Sequence, residues 1–365
     1  MKPLKVCTVL GTRPEITKLS PLIPLLEKEF DHFIIHTGQH YDYAMDEVFF
    51  KELHLPAPKY LLNIGSHSQG KQTGRMIEKI EEILLLEKPA LVIVEGDTNT
   101  AMAGSLAAAK LHIPVMHVES GCRSFNKSMP EEINRIVADH VADYLIAPDE
   151  DSVKNIQREG ILVEKVFFFG STVFDAVERN KTLIQPDEVL AKFGLSRGEF
   201  VLVTLHRAET TDNLIVITNI INALNQLPRN VPIVFPLHPR TRKTITENNI
   251  VLSKNILTIE PQPYLSFLTL LSTCKFCITD SGGIQEEALV FNVPCLIPRT
   301  ETEWIRLVRA GKNLLVGTNT ENILSIAKKL IDDETELQKI KEIQYPYTTG
   351  VSEKIVQLIH KISSS

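Results

Sequence analysis

At 365 residues the chain is long enough for two to three domains, and 39 lysines and arginines against 45 aspartates and glutamates leave a net charge of -6, which excludes a broad cationic surface for nucleic acid or an anionic membrane. Its longest apolar runs, such as Leu91 to Val94 and Ile83 to Leu86, fall far short of the roughly 20 residues of a membrane span, and no secretory pattern precedes Gly11. Five cysteines in a chain that is 43% hydrophobic do not make a disulfide framework, so a cytoplasmic protein with reduced thiols is expected.

The apolar run Leu4 to Leu10 predicts a first strand ending at Gly11, and the amphipathic stretch Pro14 to Lys28 predicts the helix after it, with proline in the first turn where its missing N–H costs nothing. A strand at Phe33 to Thr37 and a helix near Tyr43 to Leu53 follow. A long helix from about Gln69 to Leu86 carries Met76, Ile77, Ile80, Ile83 and Leu84 on one face. Then come a strand at Leu91 to Glu95, an alanine-rich helix from Thr98 to Leu111, a strand at Val115 to Val118, a helix from Glu131 to Val141, and strands at Tyr144 to Ala147 and Val166 to Phe169.

After the polar stretch Asn180 to Arg197 a second series begins, with strands at Phe200 to Leu205, Ile233 to Pro236, Ile256 to Glu260, Phe276 to Thr279, Pro294 to Ile297 and Leu314 to Val316. A last amphipathic helix places Val351, Ile355, Val356, Ile359 and Ile362 on one face. Short apolar runs alternating twice over with helices predict an α/β protein of two doubly wound parallel sheets, with ligand in the cleft between them at the carboxyl ends of the strands. Cys274 and Cys277 form a Cys-x-x-Cys, but beside the run Phe276 to Thr279 they read as core residues rather than a metal or redox pair.

The loops lack both the dinucleotide G-x-G-x-x-G and the P-loop signature, which disfavours a bound nicotinamide and P-loop hydrolysis. The strands lead instead into a set of polar residues: Arg13 and Lys18, Asp97, Glu119, His206 and Arg207, His238 and Arg240, and Asp280-Ser281-Gly282-Gly283. Ser281 can cap a helix whose two glycines let bare N–H groups approach a diphosphate, with Glu287 further along for a ribose hydroxyl; an ordinary capped helix reads the same way. Pro130-Glu131-Glu132-Ile133-Asn134-Arg135 opens a helix with Glu131, Asn134 and Arg135 on one face, equally readable as an i,i+4 surface ion pair. Asp97-Thr98 can be a helix N-cap, and His206 an interior histidine. Jointly, three carboxylates (Asp97, Glu119, Glu131) and a histidine beside an anion-binding helix suggest acid/base chemistry next to a phosphate leaving group.

In this order, Gly11-Thr12-Arg13-Pro14-Glu15 with Lys18, Thr37-Gly38-Gln39-His40, Glu95-Gly96-Asp97-Thr98, His117-Val118-Glu119-Ser120-Gly121, Pro130-Glu131-Glu132 with Asn134-Arg135, His206-Arg207 and Thr279 to Glu287 resemble the non-hydrolysing UDP-N-acetylglucosamine 2-epimerases. The resemblance spans the first strand to about residue 305. It implies the GT-B fold, the last helix packing back on the N-terminal domain and, as is usual for the family, a homodimer; no cofactor is expected, and no cluster of ligand residues with metal-site spacing suggests a metal. The domains expected are 1–170 with 351–365, carrying the carboxylates, and 171–350, binding UDP.

The reaction implied is loss of UDP from UDP-GlcNAc by anti elimination to 2-acetamidoglucal, then syn re-addition to give UDP-ManNAc for surface polysaccharide or glycan synthesis. Asp97, Glu119, Glu131 and His206 would be catalytic. Arg13, Lys18, Gln262, Phe267, Ser281, Gly282, Gly283 and Glu287 would hold UDP, and Gln39, His40, Gln72, Arg135, Arg207 and His238 a second UDP-GlcNAc acting as activator. The sequence departs from the family pattern at Lys71 (usually Arg), Thr210 (usually Asn) and Trp304 (often Arg). A GT-B glycosyltransferase, a hydrolysing 2-epimerase and a non-catalytic sugar-nucleotide sensor are the competing readings, with the sensor hard to square with like charges placed together.

Overall fold

In the computed structural model, which describes residues 3–38, 43–302 and 304–363, the chain divides into two units, Met1–Arg179 with Tyr347–Ser365, and Asn180–Pro346. Among the described residues the first unit holds β1 (Lys5–Leu10), β2 (Asp31–His36), β3 (Tyr60–Leu61), β4 (Leu91–Glu95), β5 (Val115–Val118), β6 (Tyr144–Ala147) and β7 (Val166–Phe168), in the all-parallel order β3-β2-β1-β4-β5-β6-β7. The second holds β8 (Val201–Thr204), β9 (Ile233–Pro236), β10 (Ile256–Ile259), β11 (Phe276–Thr279), β12 (Cys295–Ile297) and β13 (Asn313–Leu315), in the order β10-β9-β8-β11-β12-β13. Both orders reverse direction once, at β1/β4 and at β8/β11, and a doubly wound sheet binds ligands beyond the strand ends at such a reversal.

The strands are apolar along their length because helices cover both faces. All of β4 and all of β11 are buried. One core gathers Cys7, Val9, Phe33, Ile35, Val92 and Val94 under the helix Gln69–Glu87, where Met76, Ile80 and Leu84 point inward. The other gathers Val201, Val203, Phe235, Phe276 and Ile278 under the helices Leu214–Asn225 and Thr320–Asp332. No helix among the described residues is long and apolar enough to cross a membrane.

Two local expectations shift, and the cysteines keep the buried place expected of them. The helix expected over Pro14 to Lys28 is two, Arg13–Leu19 and Leu22–Glu29, parted at Ser20 and Pro21, because Pro21 offers no N–H to continue the ladder. The polar stretch Asn180 to Arg197 contains the helix Pro186–Phe193, whose signals were all in the sequence: proline at the first position, Asp187 and Glu188 in the first turn, Lys192 in the last and Gly194 closing it at φ +64. Cys274 ends a helix and donates to the Leu271 carbonyl at 3.2 Å, while Cys277 lies across from Cys295 on the next strand, all three buried free thiols.

The unit boundary falls after Arg179 and before Tyr347, displaced from 170/171 and 350/351, because the helix Thr172–Asn180 and the segment from Tyr347 are stitched to the first unit. Asp175 accepts from the Gly350 and Ser352 N–H groups, both at 2.8 Å. Tyr347 donates to Glu178 at 2.6 Å with its ring stacked on Phe174. The helix Val351–Ser363 then packs on Leu22–Glu29, burying Val351, Ile355 and Ile359. Ile355→Ala, which empties a fully buried site, is expected to cost the first unit about 2–5 kcal/mol in urea unfolding followed by circular dichroism, whereas exposed Gln357→Ala should stay within about 0.5 kcal/mol.

Candidate active site

At the β1/β4 reversal the loop after β1 passes so close to its neighbour that a Cβ on Gly11 would sit 1.8 Å from the Thr37 hydroxyl oxygen. From the helix behind it, Glu15 reaches back to accept from the Gly11 N–H at 3.0 Å, the Thr12 hydroxyl at 2.8 Å and the Thr98 hydroxyl at 2.7 Å. Burial pushes the Glu15 carboxyl up to about 7, against the pull of those donors. Lys18, three residues on and on the same face, carries its Nζ to 2.6 Å from Glu119 and 3.0 Å from Glu95. Burial works against the ammonium, but attraction from Glu119, Glu95 and Asp97 outweighs it and holds the pKa above the ordinary lysine range.

Glu119 follows β5 in the left-handed backbone region at φ +65, a conformation that costs a non-glycine residue on the order of 1–3 kcal/mol and turns its side chain to Lys18. Two residues later Gly121, at φ +82, could carry no side chain: a Cβ would lie 2.4 Å from the Ser152 carbonyl oxygen.

The helix Pro130–Val141 brings a polar face inward. Arg135 pairs with Asp97, and its other nitrogen lies 3.2 Å from Glu132. Asn134 donates to the Asp97 carbonyl at 2.9 Å and to Asn99 at 3.1 Å. Glu132 also accepts from the Ser124 N–H at 2.8 Å and the Phe125 N–H at 3.0 Å; burial works to raise its pKa, but these donors and Arg135 prevail and lower it. Glu131 was expected to share a face with Asn134 and Arg135, yet it is exposed while they are buried. The surface ion pair of Glu131 with Arg135 is thus replaced by pairs of Arg135 with Asp97 and Glu132, because the loop after β4 lies on that side of the helix. Thr98, not Asp97, caps the helix Asn99–Lys110, accepting from Ala101 N–H at 3.0 Å.

Arg13 is half-buried with its guanidinium 5.2 Å from the Phe49 ring centre. Gln72 is buried, giving its amide N–H to the Gly65 carbonyl and accepting from Asn99, both at 2.8 Å. Lys71 is exposed one residue before it. Gln39 and His40 lie outside the described residues.

At the β8/β11 reversal the buried Asp280 carboxylate takes the His206 N–H, with distances of 3.0 and 3.1 Å to its two oxygens, and the Arg207 N–H at 3.0 Å. Its Oδ1 also lies 3.3 Å from His206 Nδ1. Burial lowers the His206 pKa, Asp280 opposing. His238, whose ring centre is 5.9 Å from that of His206, caps the helix Pro239–Glu247 by accepting the Arg240 N–H. Arg207 lies 3.7 Å from Glu209, and Thr210 is buried beside it.

The expected cap by Ser281 does not form: its side chain makes no capping bond to the helix Gly282–Val290. Thr279, at the strand end, instead receives the Ser281 N–H at 3.0 Å, so the serine hydroxyl is not used by the cap. Open space surrounds the place where a Gly283 side chain would stand, and Gly282 is buried. Glu287, nearly buried, accepts from the Tyr264 hydroxyl at 3.1 Å. Gln262 donates to the Glu260 carbonyl at 2.6 Å while its Oε1 is buried without a partner, and Phe267 is half-buried on the helix Tyr264–Thr273. Trp304 is buried with the Arg306 guanidinium 4.9 Å from its ring centre, and Arg306 reaches Glu286 at 3.1 Å.

The first unit thus offers carboxylates beside a buried ammonium, and the second a helix N-terminus without a side-chain cap, following the Asp280 that holds the His206 loop. Sequence reasoning gave no role to Glu95, Glu132, His117, Asp139, Arg123 or Asp280. Glu95, Glu132, His117 and Asp280 stood within the motifs, whereas nothing in the sequence distinguished Arg123 or Asp139. No group of three or more histidine, cysteine and acidic side chains among the described residues is placed to hold a metal ion.

The sequence profile of the UDP-N-acetylglucosamine 2-epimerase family matches residues 25–360. The UDP-N-acetylglucosamine 2-epimerase of Methanocaldococcus jannaschii is 45% identical, over 98% of this chain and 99% of its own. The UDP-2,3-diacetamido-2,3-dideoxy-D-glucuronate 2-epimerase of Pseudomonas aeruginosa is 41% identical, over 92% of this chain and 95% of its own. A crystal structure of the Methanocaldococcus jannaschii enzyme in complex with UDP-GlcNAc and UDP superposes with a TM-score of 0.89 at 44% identity, covering 98% of this chain and 100% of that one.

Because the folded Glu15 pKa, about 7, lies above the ordinary 4.5, the stability it contributes is fully present below about pH 4.5 and is lost as pH rises through about 7. Infrared titration is expected to show a protonated carboxyl component fading with a midpoint near pH 7, and Glu15→Gln should remove that component while leaving the one from Glu95, whose carboxyl burial also raises.

Proposed function

The chain belongs to the UDP-N-acetylglucosamine 2-epimerase family, and from that premise we propose that it interconverts UDP-GlcNAc and UDP-ManNAc by eliminating UDP and adding it back. The C2 proton of the sugar has no adjacent carbonyl to acidify it, so its removal needs the C1–oxygen bond to break. Anti elimination moves that proton to a carboxylate, forms the C1–C2 double bond of 2-acetamidoglucal and releases UDP with the electron pair of the broken bond. Syn re-addition then returns UDP to C1 and a proton to the other face of C2.

The observation that carries this reading is the charge arrangement of the first unit: Glu119 against the Lys18 ammonium and Asp97 against the Arg135 guanidinium, on successive strand ends at the sheet reversal. Both carboxylates keep a cation beside them, the Lys18 ammonium at Glu119 and the Arg135 guanidinium at Asp97. Exposed Glu131 at the start of the neighbouring helix supplies a third acid/base group. In the second unit, the uncapped N-terminus at Ser281 to Gly283 would take the diphosphate, His206 would assist its departure, Glu287 would meet the ribose, and Gln262 and Phe267 the base. Arg13 would add its positive charge to the diphosphate, whereas Lys18 would act through Glu119.

The same reading includes a homodimer, supply of ManNAc-type sugars to glycan synthesis, and a second UDP-GlcNAc as activator. For the activator, Gln72 and Arg135 are the candidates among the described residues of the first unit, and Arg207 and His238 those of the second.

Proton NMR of the protein with UDP-GlcNAc in D2O tests the proposal. Deuterium at C2 of both epimers without net UDP release is the expected result. Accumulation of UDP with free ManNAc would mean hydrolysis, and an unchanged spectrum with turnover of UDP-2,3-diacetamido-2,3-dideoxy-D-glucuronate would move the substrate to that of the Pseudomonas relative. Asp97→Asn, Glu119→Gln and Glu131→Gln are each expected to lower kcat by about 10²–10⁴-fold, the usual worth of a positioned acid or base.

A further inference from the structure

His117 lies on β5, two residues before Glu119, and is fully buried. Its Nδ1 is 2.7 Å from Asp139 Oδ1, and its Nε2 is 2.8 Å from the Gly96 carbonyl oxygen, next to Asp97. A carbonyl oxygen can only accept, and the Asp139 carboxylate also takes the Gly121 N–H at 3.0 Å and an Arg123 nitrogen at 2.6 Å. Both ring nitrogens therefore face acceptors, so both carry a proton.

The surrounding charges agree. From the helix Pro130–Val141 comes Asp139; from the end of the helix Glu150–Arg158 comes Glu159, which grips Arg123 through two bonds of 2.7 and 2.8 Å; from the loop after β5 comes Arg123 itself. Two carboxylates and one guanidinium thus stand around the ring, with His140 Nδ1 3.8 Å from Glu159 on the outer, solvent-facing side.

Gly96 is thus held through its carbonyl by His117 and through its N–H by the Val118 carbonyl at 3.0 Å. Gly121 is held by Asp139, and Ser120 by the Ile146 carbonyl at 3.0 Å. One buried ion cluster brackets both loops on which the carboxylates sit.

We propose that His117 is a positioning residue, a buried imidazolium that with Asp139 fixes the Gly96–Asp97 and Glu119–Gly121 loops relative to each other so that the Asp97 and Glu119 carboxylates meet the same sugar. The proposal rests on the epimerase reading above. It needs neither side chain to touch substrate, since displacing a reacting group by about 1 Å can cost about 10²-fold in rate.

Two substitutions separate the ties. His117→Gln places an amide N–H near the Nε2 position and keeps the bond to Gly96, whereas His117→Asn places one near Nδ1 and keeps the bond to Asp139. With UDP-GlcNAc as substrate, His117→Asn is expected to lower kcat about 10²-fold with KM and the UDP dissociation constant within about twofold, and His117→Gln to retain more of kcat. Asp139→Asn, which weakens the Nδ1 tie and leaves the Gly96 bond in place, should resemble His117→Gln. Nitrogen-15 NMR of histidine-labelled wild type, which needs no variant to fold, should show a proton on each His117 ring nitrogen.

A bare ring nitrogen would overturn the proposal. So would variants whose kcat tracks only their melting temperature, or whose loss lies in KM, in a wild type that epimerises. A wild type that neither exchanges C2 nor epimerises overturns the epimerase reading itself and removes the positioning role with it.

Discussion

The Lys18 ammonium, 2.6 Å from Glu119 and 3.0 Å from Glu95, makes a crowded acidic strand edge possible. Glu15, Glu95, Asp97 and Glu119 all sit near one sheet reversal, and several like charges cannot be taken out of water without compensation. Three devices supply it: the Lys18 ammonium beside Glu119 and Glu95, the Arg135 guanidinium for Asp97, and burial that raises the carboxyl pKa, to about 7 for Glu15 and well above the ordinary carboxylate range for Glu95. Removing one partner of such a buried pair leaves an unmatched charge, so these residues are bound together more tightly than any single distance suggests.

The geometry of the edge carries a cost in backbone strain. Glu119 stands in the left-handed region, and Gly121 occupies a place where a side chain would strike the Ser152 carbonyl. Such strain persists only where surrounding bonds over-determine it, and they do: Gly96, Ser120 and Gly121 are each fixed by a hydrogen bond from outside their own turn. Much of the holding comes from the helix Pro130–Val141. Its inward face presents Glu132 to the Ser124–Phe125 turn, Asn134 and Arg135 to Asp97, and Asp139 to His117 and Gly121.

The second unit solves a different problem with the same sheet order. Asp280 commits its buried carboxylate to the His206 and Arg207 N–H groups, which shapes the loop after β8. The helix after β11 begins without a side-chain cap, so its first N–H groups are not consumed by Ser281. Under the proposed function this fixed loop with its histidine and this uncapped helix terminus serve the leaving diphosphate.

The sequence by itself determined the two doubly wound sheets, most of their strands, and the polar residues at the strand ends, because parallel strands buried on both faces read as short apolar runs and their ligand-facing loops read as polar interruptions. Val115 to Val118 and Phe276 to Thr279 were legible to the residue. The helix Pro130–Val141 was legible as a helix but not in its orientation: hydropathy sends polar residues to solvent, while Glu132, Asn134, Arg135 and Asp139 are buried and Ile133 is exposed. Only the tertiary structure decided that Glu131 is exposed while Arg135 is buried, that Lys18 bridges two glutamates 77 and 101 residues away (95 − 18 and 119 − 18), and that Asp139 serves His117. Local pattern records which residues prefer water; a partner far along the chain, which alone can make burial of a charge tolerable, leaves no local trace.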